Sequence, residues 1–406
     1  NFISLQLIIT MAITIHLIVR YRELATIHPD MSQRELVVET ARLKVVAYYG
    51  GDIGGYDHSD ADFTIQGLPR KYVSSAGSNS YPYSLPQWAA HDIQDALDAA
   101  YDGDTVMVAG DSYTGSVVST TSAYIMGGWN SDFTAHDPGL YTTSLTGSNS
   151  LVMFANTTGR CGLEGFSLSG GTGTALSNPT VGGYGGGILC NNINYAVIKN
   201  NIFNSCGYTN ISNYYAGGAI AILYADSALI SGNTIIDSEA QSGGAIYLHQ
   251  SDATVTGNRI TGSLPNADYT GNKLGGGIYA YHSALNMSGN YIADNTGYFD
   301  GAGVYAYFSP LTMSGDTLAS NTCSHSGGGV FCRYGAMNAD GCRITGNSAE
   351  FMGGGVYFKA ENCDITTSLM AKNYALFLGG GFYADSVSGT VNHNIFDRNS
   401  TTNNGG

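Results

Sequence analysis

Glycine clusters recur through the second half of this chain at a fixed interval, and that interval constrains the fold more than any other feature. The clusters begin at Gly185, Gly217, Gly243, Gly275, Gly301, Gly327, Gly353, Gly379 and Gly405, with spacings of 32, 26, 32, 26, 26, 26, 26 and 26 residues. The period is therefore 26 residues, and the two longer intervals hold insertions near Gly207–Tyr214 and Leu264–Lys273. A strict period of this length is the signature of a solenoid, in which each repeat buries its apolar face only by stacking on its neighbours.

Counting each repeat from its first glycine shows which face is which. Position +3 holds Ile188, Ile220, Ile246, Ile278, Val304, Val330, Val356 and Phe382, and position +5 is mostly small or apolar from Cys190 to Ala384. Strand alternation sends +3 and +5 to one side, which must be the interior. Position +17 adds Ile260, Ile292, Leu318, Ile344, Met370 and Phe396. Position +20 repeats Asn295, Asn321, Asn347, Asn373 and Asn399, an expected ladder of amides hydrogen-bonded from coil to coil. No stretch of the repeat keeps a 3.6-residue period, so a helical solenoid is excluded. The expected fold is all-β: a right-handed parallel β-helix, its hand following from the general handedness of parallel crossovers.

Composition agrees. Of 406 residues 56 are Gly and 12% are charged, about half the charge of an ordinary globular domain. A 43% hydrophobic content excludes disorder, and a net charge of −15 without a basic stripe excludes a nucleic-acid partner. Seven cysteines at irregular spacing give neither a disulfide framework nor a zinc site, and no metal or cofactor is expected.

Three segments divide the chain: an apolar N-terminal segment over 1–48, a linker and start of cap over 49–91, and a capped β-helix over 92–406. Eighteen largely apolar residues from Phe2 to Val19 predict a long helix, of bilayer-spanning length. Phe2, Leu5, Gln6, Leu7, Ile8, Ile9, Ile13, Ile15, Leu17 and Val19 would be its assembly or membrane face. The opening Phe2-Ile-Ser-Leu-Gln6-Leu7 resembles that of mature type IV pilins, whose apolar helix packs into a filament core. Arg20–Lys44 would continue the helix, with Pro29 as its kink. Asn1 before the Phe and Gln6 in place of the usual Glu depart from that pattern and put pilin-type assembly in doubt. Three aspartates in Asp57–Asp62 lack the Gly and distal Glu of a calcium loop and read as linker. Asp92 then caps a short helix whose Ile93, Ala96, Leu97 and Ala100 share one face, sealing the first coil.

Gly217-Gly-Ala-Ile220, Gly243-Gly-Ala-Ile246 and Phe396-Asp-Arg-Asn399 resemble the GGA[ILV] and FxxN elements of polymorphic outer-membrane-protein repeats. That resemblance, over residues 185–406, implies a β-helix that acts as a surface adhesin. Position +4 must point outward and carries Tyr247, Tyr279, Tyr305, Phe331, Tyr357 and Tyr383, with Tyr281 and Tyr307 beside them at +6. Such a face could contact a glycan or another subunit, or simply stabilise the sheet. Catalysis would need acids at one offset in adjacent coils, and only Asp226 and Asp252 coincide. The sequence therefore predicts a non-enzymatic extracellular or cell-surface protein, a pilin-like filament subunit displaying the β-helix. A membrane-tethered adhesin and a polysaccharide-cleaving enzyme are the alternatives.

Overall fold

The computed structural model divides the chain into two units, Asn1–Arg70 and Lys71–Gly406. It describes residues 70–207, 214–264, 274–360, 362–385 and 387–403 in full and, before them, the backbone of four strands. Those strands are β1 (Phe2–Ile9), β2 (Ile13–Arg20), β3 (Arg42–Tyr49) and β4 (Asp52–His58).

The N-terminal unit corrects the expected helix. β1 to β4 form an antiparallel sheet in sequence order, with Phe2 opposite Arg20 and Ile9 opposite Ile13 in the first hairpin. Ile3, Ile8, Ile9, Ile13, Thr14, Ile15, Ile18 and Val19 are β-branched, and such side chains lose rotamer freedom in a helix while fitting a pleated surface. A filament core or membrane helix built from Phe2, Leu5, Gln6, Leu7, Ile8, Ile9, Ile13, Ile15, Leu17 and Val19 accordingly loses its basis, because their backbone is extended. Their side chains, the segment 21–41 with Pro29, and Asp60 and Asp62 lie outside the described residues. No helix among the described residues is long and apolar enough to cross a membrane.

Lys71–Gly406 is a parallel β-helix. Each regular coil lays down four strands, as in Ile278–Tyr281, Leu285–Ser288, Tyr291–Ala293 and Thr296–Gly297. Each pairs in parallel with its counterpart one coil on: Ile278 with Val304, Leu285 with Leu311, Ile292 with Leu318 and Thr296 with Thr322. Among the described residues, Thr174–Leu176 with Gly182–Tyr184 and the single bridge of Trp129 with His136 are antiparallel and depart from this rule. Positions +3, +5 and +17 do face inward: Ile278, Ala280 and Ile292 are fully buried, as are Val330, Cys332 and Ile344 two coils later. At the N-terminal end Asp92 accepts from the Gln94 N–H at 2.7 Å and starts helix α1 (Ile93–Asp98), which buries Ile93, Ala96 and Leu97.

In the coil that starts at Gly275 three corners are built alike. A residue in the left-handed region is followed by a buried polar residue whose side chain links coils. His282 (φ 48°) precedes Ser283, Gly289 (φ 63°) precedes Asn290, and Asp294 (φ 56°) precedes Asn295. Asn295, Asn321, Asn347, Asn373 and Asn399 form the expected ladder, each Nδ2 donating to the next Oδ1 at 2.9–3.0 Å. Two further ladders run beside it. Asn201, Asn233, Asn258 and Asn290 bond in series and end on Asp316, while Ser251, Ser283 and Ser309 each accept from the backbone N–H one coil before.

All seven cysteines are buried and unpaired. Cys190, Cys332 and Cys363 serve as small core side chains, and burial pushes the Cys332 and Cys363 thiols up to about 12.

Candidate functional site

The aromatic column at +4 points away from the core yet is not an open surface. Tyr305 and Phe331 are 6% and 4% exposed. From Tyr247 to Tyr383 successive rings lie 4.8–5.3 Å apart and within 18° of parallel. Rings stacked in this way cover one another's faces and leave only their edges to a ligand. Beside them Tyr281 and Tyr307, 6.2 Å apart, are half-buried, and a further stack of His282, Phe308 and Tyr334 is exposed at the corner.

A second column stands across a groove from the first. Phe299, His325, Phe351 and Phe377 all occupy position +24, a regularity that the sequence carries in four consecutive coils. Phe299, His325 and Phe351 stack at 4.5 and 5.0 Å, but Phe377 turns 61° away. The groove between the columns encloses about 330 Å³ and is lined by Phe331, Tyr357, Tyr383, Phe299, His325 and Phe351 with polar groups between them. Beside it Phe351 meets Phe377 edge-on at 5.1 Å rather than in parallel, while Tyr357 and Tyr383 continue the first stack.

The polar lining is unevenly satisfied. His325 Nδ1 hydrogen-bonds the Asp300 Oδ1 at 2.6 Å, and the same oxygen accepts from the Ser326 N–H at 3.0 Å. Burial pushes the Asp300 carboxyl above its ordinary range, against the opposing pull of His325. Lys359 is paired with Asp385. Ser326 Oγ and Arg333 Nε, however, are buried without a partner among the described residues. Buried polar atoms are normally bonded, and leaving one unmet costs about 1–3 kcal/mol.

A second groove, of about 570 Å³, crosses the first coils and gathers Asp104, Tyr124, Arg160, Glu164 and Lys199. Register puts Glu164 beside Lys199, and Tyr124 beside Gly162, where an added Cβ would strike the Tyr124 ring. Glu164 accepts from Tyr124 Oη at 2.7 Å, Lys199 Nζ at 3.1 Å and Asn200 Nδ2 at 3.1 Å. Burial works to raise its pKa, but those hydrogen bonds and the Lys199 charge outweigh it and hold the carboxyl low. Burial and Glu164 together hold the Tyr124 phenol protonated. This is a satisfied network, with neither a free base nor a proton-bearing carboxyl at Glu164. Asp226 and Asp252, the acids aligned in sequence, line neither groove. Among the described residues no three His, Cys, Asp or Glu side chains converge as metal ligands.

Of the residues singled out in sequence, the structure brings Phe331, Tyr357 and Tyr383 into the flank groove and leaves Tyr281 and Tyr307 outside it. Sequence reasoning missed Asp300, His325, Ser326, Arg333 and Phe351. Only the fixed +24 offset of His325 and Phe351 could have announced them.

No curated protein and no solved structure matches this chain. A family model described as "Right handed beta helix region" matches residues 139–318, which supports the β-helix repeat family and the right hand of the solenoid.

Proposed function

We propose that this protein is a non-enzymatic extracellular or cell-surface β-helix that binds glycan in the groove between its two aromatic columns. One observation carries the reading: Ser326 and Arg333, whose Oγ and Nε are buried without partners among the described residues, line the groove between the two aromatic columns. A sugar offers what both lack, hydroxyl groups for the unmet polar atoms and an apolar C–H face for the rings of Phe351 and Tyr383. The GGA[ILV] and FxxN elements support the same reading, since the repeats they resemble belong to surface adhesins. Against an enzyme, each carboxylate lining either groove is already engaged: Asp300 by His325, Asp385 by Lys359, Glu164 by Tyr124 and Lys199, and Asp104 by the Tyr101 N–H and Lys71.

The test is glycan-array binding by the full chain, followed by calorimetry on the best oligosaccharide and product analysis after long incubation. Binding without cleavage, weakened about tenfold in Phe351→Ala or Tyr383→Ala, is the expected result. Absence of binding across the array, binding indifferent to both substitutions, or chain shortening would each sink the proposal.

A further inference from the structure

We infer that the sugar taken by the flank groove carries an anionic group, a carboxylate or sulfate, and that Arg333 reads it. This rests on the glycan reading and narrows its ligand. Arg333 and Lys359 occupy the same position in adjacent coils, in register with Tyr307 before them. Parallel strands set such neighbours about 4.8 Å apart, a spacing at which like charges repel. Lys359 is neutralised by Asp385 in the following coil, but no carboxylate pairs with Arg333 among the described residues. Its neighbour Tyr334 accepts from Nη2 at 2.6 Å and lies beneath the guanidinium at 4.5 Å. Neither contact balances the charge. Asp300, which lies within electrostatic reach of Arg333, spends its Oδ1 on His325 and the Ser326 N–H.

The unmet atoms are Arg333 Nε, which can only donate, and Ser326 Oγ, a hydroxyl that can donate or accept. An unmet donor on an uncompensated cation that lines the groove calls for an acceptor-rich group with negative charge. A guanidinium presents its N–H groups as a planar fork that suits a two-oxygen acceptor. A neutral sugar would satisfy Ser326 and leave Arg333 unbalanced. The chain as a whole carries −15, so diffuse attraction cannot supply a preference for anions. Any such preference must be local.

The experiment measures binding of the full chain to an oligouronate, to its methyl ester, and to a sulfated oligosaccharide, at low and high salt. The acid should bind about tenfold more tightly than the ester, and Arg333→Gln should erase that difference while keeping ester affinity. Arg333→Lys should restore only part of it, because it returns the charge without the fork. A stronger response to the sulfated chain, equally lost in Arg333→Gln, would assign sulfate as the anion. Equal affinity for acid and ester, or a preference that survives in Arg333→Gln with an unchanged melting curve, would overturn the inference and leave the glycan reading standing. Failure of every saccharide to bind would overturn both.

Discussion

The side-chain amide of Asn321 donates to the Oδ1 of Asn347 at 3.0 Å, one coil further on, and both residues are fully buried. The same Oδ1 accepts from the Asn321 backbone N–H at 2.9 Å, and Asn347 Nδ2 donates in turn to the Leu318 carbonyl and to Asn373. One side chain thus satisfies four groups on the two flanking coils. Asn347→Ala strands them in the interior and should cost about 3–5 kcal/mol. Urea unfolding of the variant would show it, and a loss near zero would mean that water enters the corner.

Asp316 stands where the second ladder otherwise carries Asn. It accepts from Asn290 N and Nδ2 at 2.8 Å, and from the Ser314 N–H at 3.0 Å, but brings no amide donor of its own. Burial raises its pKa, so the folded protein holds this proton more tightly than the unfolded chain does. Its contribution to stability therefore falls as pH rises from the ordinary carboxyl range through the raised folded value. Asp316→Asn would add a donor in place of a buried charge, with water replacing the bond from exposed Ser314. Melting temperatures should be higher in the variant at neutral pH, by an equivalent of about 1–2 kcal/mol, and the two proteins should converge in acid.

Glu164 behaves in the opposite sense. Its carboxyl is held low, so its stabilisation is present above the unfolded pKa and is lost as pH falls through the folded value. Glu164→Gln should reduce stability at neutral pH and remove part of the acid-induced decline. Melting curves of the two proteins from neutral pH into acid would check this; parallel curves would show that the network contributes nothing.

Phe331 lies between Tyr305 and Tyr357, at 4.9 and 4.8 Å and within 4° of parallel. Removing a buried ring from the middle of a stack leaves a cavity that two rigid neighbours cannot close. Phe331→Ala should cost about 3–5 kcal/mol, whereas Phe331→Tyr should be nearly neutral because the neighbouring coils carry Tyr at that position. Chemical denaturation of both variants separates stacking from mere bulk.

The seven thiols should be silent in the folded protein. All are buried, and burial raises each thiol that lines the core, Cys206 to about 12. A thiol-specific chromogenic reagent should give no rapid reaction before denaturant and full reaction after it. Rapid labelling of the native protein would show that a coil opens readily.

Much of the solenoid is legible in the repeat. Positions +3, +5 and +17 announce the interior because alternation in a strand leaves no choice of face, and the Asn295–Asn399 ladder is written at one offset without interruption. The second ladder is harder to read. The coil starting at Gly217 carries one extra residue before its third strand, so Thr234 pairs with Arg259 across different offsets. Beyond Asn290 the column changes to Asp316, Cys342, Ser368 and Asn394, which share a corner without sharing a chemistry. The N-terminal segment misled for another reason. A short apolar run rich in Ile satisfies either a helix or a hairpin, and the deciding contact, such as Phe2 with Arg20, is distant in sequence.

The sequence by itself determined the coil length, the inward columns and the amide ladder, because a strict period forces equivalent residues into register. Only the tertiary structure decided which aromatic faces are covered, that Phe377 turns out of its stack, and that Arg333 and Ser326 meet the same groove. Those outcomes depend on side-chain directions and on the closing of one coil edge against the next, and no periodicity encodes either.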